Sequence, residues 1–332
     1  MVKDSLEYPY LTIETSIKVE KSEIENSKSE IKTPMSNINL IIEERPRNIG
    51  NFMVGRLLPF QSKRMVGPFI FIDHMGPATM PARQNFDIPP HPHIGLSTLT
   101  FLFDGNVMHK DSLGTEMEIT PGQVNWMTAG KGIVHSERTP ARLHDTEKSL
   151  HGLQIWVALP KEFEEMEPTF FHAAAEDLPY WETDGIAYRL IAGEIMGKQS
   201  PVPVYSKLYF LELKSTSRQA VKIGSELYGE AGLYILEGSI ESDGTTYEPK
   251  ELLVAKDNAL CEFTMNPNTT IYFFGGEPFA EERFIYWNFV ASDHEKIERA
   301  KQLWKEQKFP RVPGETDFVP LPAESVNLKP RQ

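Results

Sequence analysis

From Ile38 onward the chain consists of short apolar runs, NLIIEE, PFIFID, LSTLTFLF and LHGLQIWVAL among them, broken at close intervals by Gly, Pro, Asn and Asp. β-Branched and aromatic residues dominate these runs, and the breaks come too often for helices. The pattern therefore predicts an all-β sandwich or barrel of antiparallel strands. A second set of such runs, KLYFLEL, GLYILEGSIE and TIYFFGG, follows the Pro-bearing stretch SPVPVYS (200–206), which places a domain junction near Pro201 to Tyr205. Only after Ser292 does the period change. DHEKIERAKQLWKEQKF spaces Ile297, Ala300 and Trp304 at helical intervals with charges between them, predicting one amphipathic helix ended at Pro310. Residues 1–36 are polar, hold few apolar anchors and lack Gly and Trp. They read as a flexible tail, with a short ordered arm around Ile13–Ile31 as the other reading.

The two halves resemble each other. FLFDGNVMHKDSLG (101–114) and YILEGSIESDGTT (234–246) are each a strand ending in an acidic-Gly turn, and PGQVNWMTAG (121–130) answers PKELLVAKDN (249–258). An internal duplication of about 130 residues follows. The expected organisation is a tail at 1–36, a first domain at 37–203, and a second at 204–332 that includes the helix.

Composition narrows the function classes. The apolar share of 40% and charged share of 24% are those of an ordinary water-soluble protein, and no run reaches the length of a membrane span. The N-terminus lacks the apolar core of a secretory signal, so a cytoplasmic location is expected. A net charge of −13 without a basic cluster argues against direct nucleic-acid binding. The single cysteine, Cys261, sits among apolar neighbours and reads as a buried thiol without a redox role.

Candidate chemistry is concentrated in the first half. HPHIG places His91 and His93 two apart in β-like surroundings, and residues i and i+2 of a strand project to one face. HSE repeats the device with His135 and Glu137. Facing strands can point all four inward around one metal ion, and three imidazoles with one carboxylate suit Fe, Ni, Cu, Mn or Zn. Two positions of an octahedron then stay open to water, substrate or oxygen. His74, His109, His144 and His151 can line the pocket or orient a ligand, but taken singly each reads as structural, and removing His109 is expected to leave the metal in place. In the second half, counting from the turn glycine Gly238 sets Gly224 and Glu226 opposite the first histidine pair. Counting from Pro249 sets Phe263 and Met265 where the first copy has His135 and Glu137. The second domain is therefore expected to lack a metal.

HPHIGLSTLTFLFDG, HKDSLG, PGQVNWMTAGKGIVHSERTP, LHGLQIWVALP and GGEPFAEERFIYWNFV together resemble the pirins, a family built of two cupin domains, over about residues 38–322. The resemblance implies two jelly-roll cupin barrels, an N-terminal one binding a metal and a C-terminal one without ligands. It further implies one divalent metal ion per chain, with Fe(II) first, held by His91, His93, His135 and Glu137. The chain departs from the wider cupin pattern at Ser97, where a ligand Glu is usual, and Ile94 stands where some pirins carry Arg. Bacterial relatives imply quercetin 2,3-dioxygenase activity, in which a flavonol-like substrate meets O2 and Glu137 takes the substrate's hydroxyl proton. Eukaryotic relatives imply the alternative, a metal- or redox-dependent regulatory protein acting through protein partners.

Overall fold

The computed structural model describes residues 38–50, 52–223, 226–255 and 262–322. The expected tail at 1–36 and Cys261 lie outside them. The all-β class and the terminal helix are both present. The first half forms a large antiparallel sheet whose strands run, in spatial order, β12 (Thr169–Ala173), β9 (Val124–Thr128), β6 (Leu96–Gly105), β11 (Lys148–Ala158), β4 (Phe69–Met80), β3 (Met53–Leu58) and β2 (Arg45–Asn48). Facing it is a smaller sheet, β5 (Asp87–His93), β10 (Ile133–Arg138), β7 (Val107–Asp111) and β8 (Glu116–Ile119).

The second half repeats this plan strand for strand. Its large sheet runs β1 (Ile38–Glu43), β21 (Glu251–Ala255), β18 (Glu230–Glu237), β23 (Thr269–Gly276), β16 (Leu208–Ser215), β14 (Ile186–Ile195) and β13 (Tyr180–Thr183), with β15 (Lys198–Gln199) on β14. Its small sheet runs β17 (Gln219–Lys222), β22 (Glu262–Met265), β19 (Ile240–Ser242) and β20 (Thr245–Tyr247). Strands on both sides of residues 201–205 thus share one sheet, and β1, from the very start of the described chain, closes its edge against β21. Covered edges of this kind remove a template for unwanted strand pairing.

Alternation decides what each sheet face meets. On β6, Leu99 and Phe101 turn to one side with Trp126 and Ile155, and there they meet Phe210, Tyr234, Tyr272 and Phe274 of the second large sheet. Phe69 lies 5.1 Å from Phe274 and Phe103 stacks on Tyr272 at 5.3 Å, so the two large sheets bury their faces against each other. Each such aromatic contributes about 1.5–3 kcal/mol by leaving water. The other face of the second sheet packs Leu211, Leu233 and Phe273 against Phe263, Met265 and Val221 of β22 and β17. The opposite face of the first sheet, Thr98 and Thr100 included, looks onto β5 and β10 instead.

The chain then crosses back to the first half. After β24 (Phe284–Tyr286) and β25 (Phe289–Ala291), helix α1 (His294–Lys305) starts at Asp293, whose side chain accepts the Glu295 N–H, and buries Ile297, Ala300 and Trp304 as its periodicity predicted. These pack with Ile94 and Val134 on the outer side of β5 and β10. Gly95 permits that approach: its φ is +66°, and a Cβ there would stand 2.0 Å from the Val290 carbonyl oxygen. No helix among the described residues is long and apolar enough to cross a membrane.

Candidate metal centre

β5 and β10 are antiparallel neighbours in which His91 stands directly opposite His135, and His93 opposite Ile133. Directly opposed residues share a face, so the three imidazoles project together into the space between the sheets. His91, His93 and His135 are all buried, and one ring nitrogen from each lies within 4.8 Å of the others. His93 Nε2 and His135 Nε2 are 3.1 Å apart. Two nitrogens each about 2.1 Å from a single ion at a right angle stand about 3.0 Å apart, so the spacing fits neighbouring ligands of one ion.

The outward nitrogens set the tautomers. His91 Nδ1 donates to the Pro89 carbonyl at 2.9 Å, leaving Nε2 with a free lone pair. On β7, His109 Nε2 donates to the Asp111 carboxylate at 3.1 Å, and its Nδ1 lies 3.3 Å from Nδ1 of His135. Asp111 is held in turn by the Leu113 and Thr115 N–H groups. In neutral rings this relay makes His135 Nδ1 the donor, again freeing its Nε2 for a ligand bond. Burial draws the His91 ring down to about 4 and pushes His93 and His135 well below the ordinary range, so all three hold their lone pairs at neutral pH.

His109 is therefore more than structural. It is buried, touches His135 and has Phe170 stacked on it at 4.6 Å. The contact adds an expectation about affinity to the one about metal content: His109→Ala should weaken metal affinity about 10–100-fold, because His135 loses the partner that fixes its ring. A metal-buffered titration checks this, and unchanged affinity would refute the relay.

Glu137 is placed differently. Its carboxylate is outside the group of three nitrogens, although it is buried and lies opposite His109 on β7. Between His135 and Glu137 the register with β5 slips, so that two steps on β10 answer three on β5, from His91 to Ile88. The extra residue falls at Pro89–Pro90, which have no N–H to give the ladder. Both freed carbonyls are used, Pro89 by His91 and Pro90 by the Val319 N–H at 2.9 Å. Glu137 Oε1 stands 3.4 Å from Thr100 Oγ1, which is also 3.0 Å from Gln154 Oε1. One hydroxyl hydrogen cannot serve both acceptors, and burial pushes the Glu137 carboxyl up to about 7.

The remaining histidines lie elsewhere. His74 bonds Glu44 and His151 at 2.6 and 2.8 Å, beside Tyr234 of the second half, and His144 bonds the Thr139 carbonyl. Ser97 bonds Thr128 at 3.0 Å. Residues that the sequence reading passed over are Asp111, Thr100, Gln154, Asn125, Trp156 and Phe170. Trp156 meets His93 edge to face at 5.2 Å. A signal for several of them was present: Thr100, Asn125 and Gln154 are polar positions inside otherwise apolar strands.

The second copy has no such centre among its described residues. Phe263 and Met265, the residues that counting from Pro249 sets against His135 and Glu137, are buried in the apolar cluster of the second half. Val221 stands opposite Phe263, and Ile223 two residues on is buried as well. Glu226 lies beyond β17 and is exposed, and Gly224 is outside the described residues.

Comparison with known proteins agrees with this architecture. The family described as Pirin matches residues 51–157, and the Pirin C-terminal cupin domain matches residues 210–310. A Pirin-like protein of Caulobacter vibrioides is 44% identical over 290 residues, covering 86% of this chain and 99% of its own length. A Pirin-like protein of Solanum lycopersicum is 32% identical over 246 residues, 71% of this chain and 79% of the relative. Among solved structures, a quercetin 2,3-dioxygenase from Acinetobacter baumannii superposes with a TM-score of 0.79 at 34% identity, covering 87% of this chain and 96% of that one.

Proposed function

The chain belongs to the pirin family, and from that premise we propose that it is a mononuclear metal-dependent dioxygenase of flavonol-like substrates, of the quercetin 2,3-dioxygenase type. The observation that carries this reading is three buried imidazoles converging on a strand pair that also bears a buried carboxyl, Glu137. Likeness to a protein described as a quercetin 2,3-dioxygenase supports it further. His91, His93, His135 and Glu137 would hold one divalent ion, with Fe(II) the first choice and Ni, Cu, Mn or Zn compatible with the same donors. When bound, the ion supplies a Lewis acid and a redox centre for oxygen chemistry.

The protein's own groups have separable tasks. Glu137, whose carboxyl titrates near neutrality, accepts the proton of the substrate hydroxyl. Thr100 holds that carboxylate from the facing sheet, and Asp111 through His109 holds His135. Trp156 and Phe170 wall the space with flat apolar surface and keep bulk water from it.

The test is oxygen uptake by protein reconstituted with Fe(II) or another divalent ion and given quercetin. Uptake should accompany loss of flavonol absorbance and stop on chelation. Metal-replete protein without uptake on several flavonols, paired with capture of a protein partner by metal-loaded bait alone, would favour the regulatory alternative.

A further inference from the structure

The large sheet of the first half carries a row of polar side chains across its metal-facing side. Adjacent strands align Arg56, Asp73, Gln154, Thr100, Asn125 and His172 in register, each directly opposite the next. Thr100 reaches Glu137, so the row faces the small sheet that bears the histidines. Two ends of the row are internally satisfied. Arg56 grips Asp73 through two bonds of 2.8 Å, and His172 Nδ1 donates to Asn125 Oδ1 at 2.7 Å. Asn125 is different. It is 96% buried, being 4% exposed, and its Nδ2 has no hydrogen-bond partner.

The second copy shows that the fold does not require this row. Its equivalent positions, aligned by the same register, are Leu190, Leu211, Phe273, Leu233, Leu253 and Ile41, and they pack in one apolar cluster. An interior that can be closed with leucine has kept in the first copy a buried amide with an idle donor. Such a donor is costly unless something accepts from it. Asn125 stands one strand beyond Thr100, about 4.8 Å, or roughly the width of an aromatic ring away from the Glu137 contact. Trp156 and Phe170 flank the neighbouring row with aromatic faces.

We propose that Asn125 is a specificity-determining contact, donating its free amide N–H to a ring oxygen of a hydroxylated aromatic substrate whose other end is held at the metal centre. The proposal rests on the dioxygenase reading and names what that site selects: substrates with oxygen on a ring remote from the hydroxyl-ketone pair. Gln154 lines the same row, with its Oε1 set against Thr100.

The experiment compares quercetin with 3-hydroxyflavone, which keeps the hydroxyl-ketone pair and lacks every other hydroxyl. Metal-loaded wild type, Asn125→Leu and Asn125→Asp are assayed for metal content, kcat and KM. Asn125→Leu installs the residue that the second copy already uses, and Asn125→Asp keeps the acceptor for His172 while removing the donor. In both variants the KM for quercetin should rise about tenfold, the worth of one hydrogen bond. The kcat, the metal content and the KM for 3-hydroxyflavone should stay within about twofold. Equal rises for the two flavonols, or no rise for quercetin, would overturn the assignment. Should wild type consume no oxygen with either compound, the dioxygenase reading fails on its own. Affinities from quenching of tryptophan fluorescence then replace KM, with a selective tenfold loss for quercetin again expected and an equal loss or none again overturning the assignment. Absence of binding by both compounds overturns it too.

Discussion

Replacing His135 with alanine should leave the protein without its metal and abolish the dependence of its melting temperature on chelator. His135 is the junction of the centre: its Nε2 sits 3.1 Å from that of His93, its ring centroid 4.4 Å from that of His91, and its Nδ1 against His109. Its neighbours along the chain cannot take its place, because Ser136 and Val134 point to the other face of β10, where Ser136 bonds Glu315. The size of the effect follows from linkage. An ion at about 100 times its dissociation constant adds roughly 2.7 kcal/mol to the folded state. At about 2–4 °C per kcal/mol for domains of this order of size, chelation should cost wild type several degrees. The variant should melt at one temperature with and without chelator. Elemental analysis showing one equivalent of metal on His135→Ala would refute the ligand assignment, and close to two equivalents on wild type would refute a single centre.

The outer supports of that centre come from distant sequence. Arg138, two residues from Ser136, binds Asp87 on β5 together with Glu315 and Asp317 beyond the helix, and the Val319 N–H bonds Pro90. Glu164 on the first half accepts from Ser292 and Lys296 and lies 3.4 Å from the fully buried Arg283. The C-terminal segment of the second half thus braces the ligand strands of the first from behind. This gives the second half a mechanical part in the site.

Much of this was legible in the sequence, though not all. His91, His93 and His135 could be read because strand periodicity is local: two residues apart means one face. Helix α1 was readable in the same way, from Ile297, Ala300 and Trp304. Glu137 obeyed the same spacing and keeps the face of His135, yet its carboxylate ended outside the cluster of nitrogens, because spacing along a strand fixes the face and not where a longer side chain ends. His109 was weighed alone, although HKD carries the same i, i+2 pairing with Asp111 that marked the other histidines. The polar row from Arg56 to His172 is assembled from six strands, so only the register of the finished sheet brings it into one line.

Changing Glu137 to glutamine should lower turnover by about 10²–10⁴-fold, the usual worth of a positioned general base, while metal is retained at least in part. Glutamine preserves the length of the side chain and an oxygen for Thr100, so the wall of the site keeps its shape. What it loses is the ability to take a proton. Burial pushes this carboxyl up to about 7, and Thr100, 3.4 Å away, opposes the shift. A base poised there is strong enough to receive a hydroxyl proton and weak enough to return it. The sign of the pH dependence follows. As pH falls through the carboxyl's pKa the base becomes protonated, so wild-type kcat/KM should decline on the acid side, at or somewhat below pH 7 because a nearby cation stabilises the charged form. The glutamine variant should lose that acid limb along with its rate. Turnover within tenfold of wild type at full metal occupancy, or an acid limb that survives the substitution, would assign the proton to some other group.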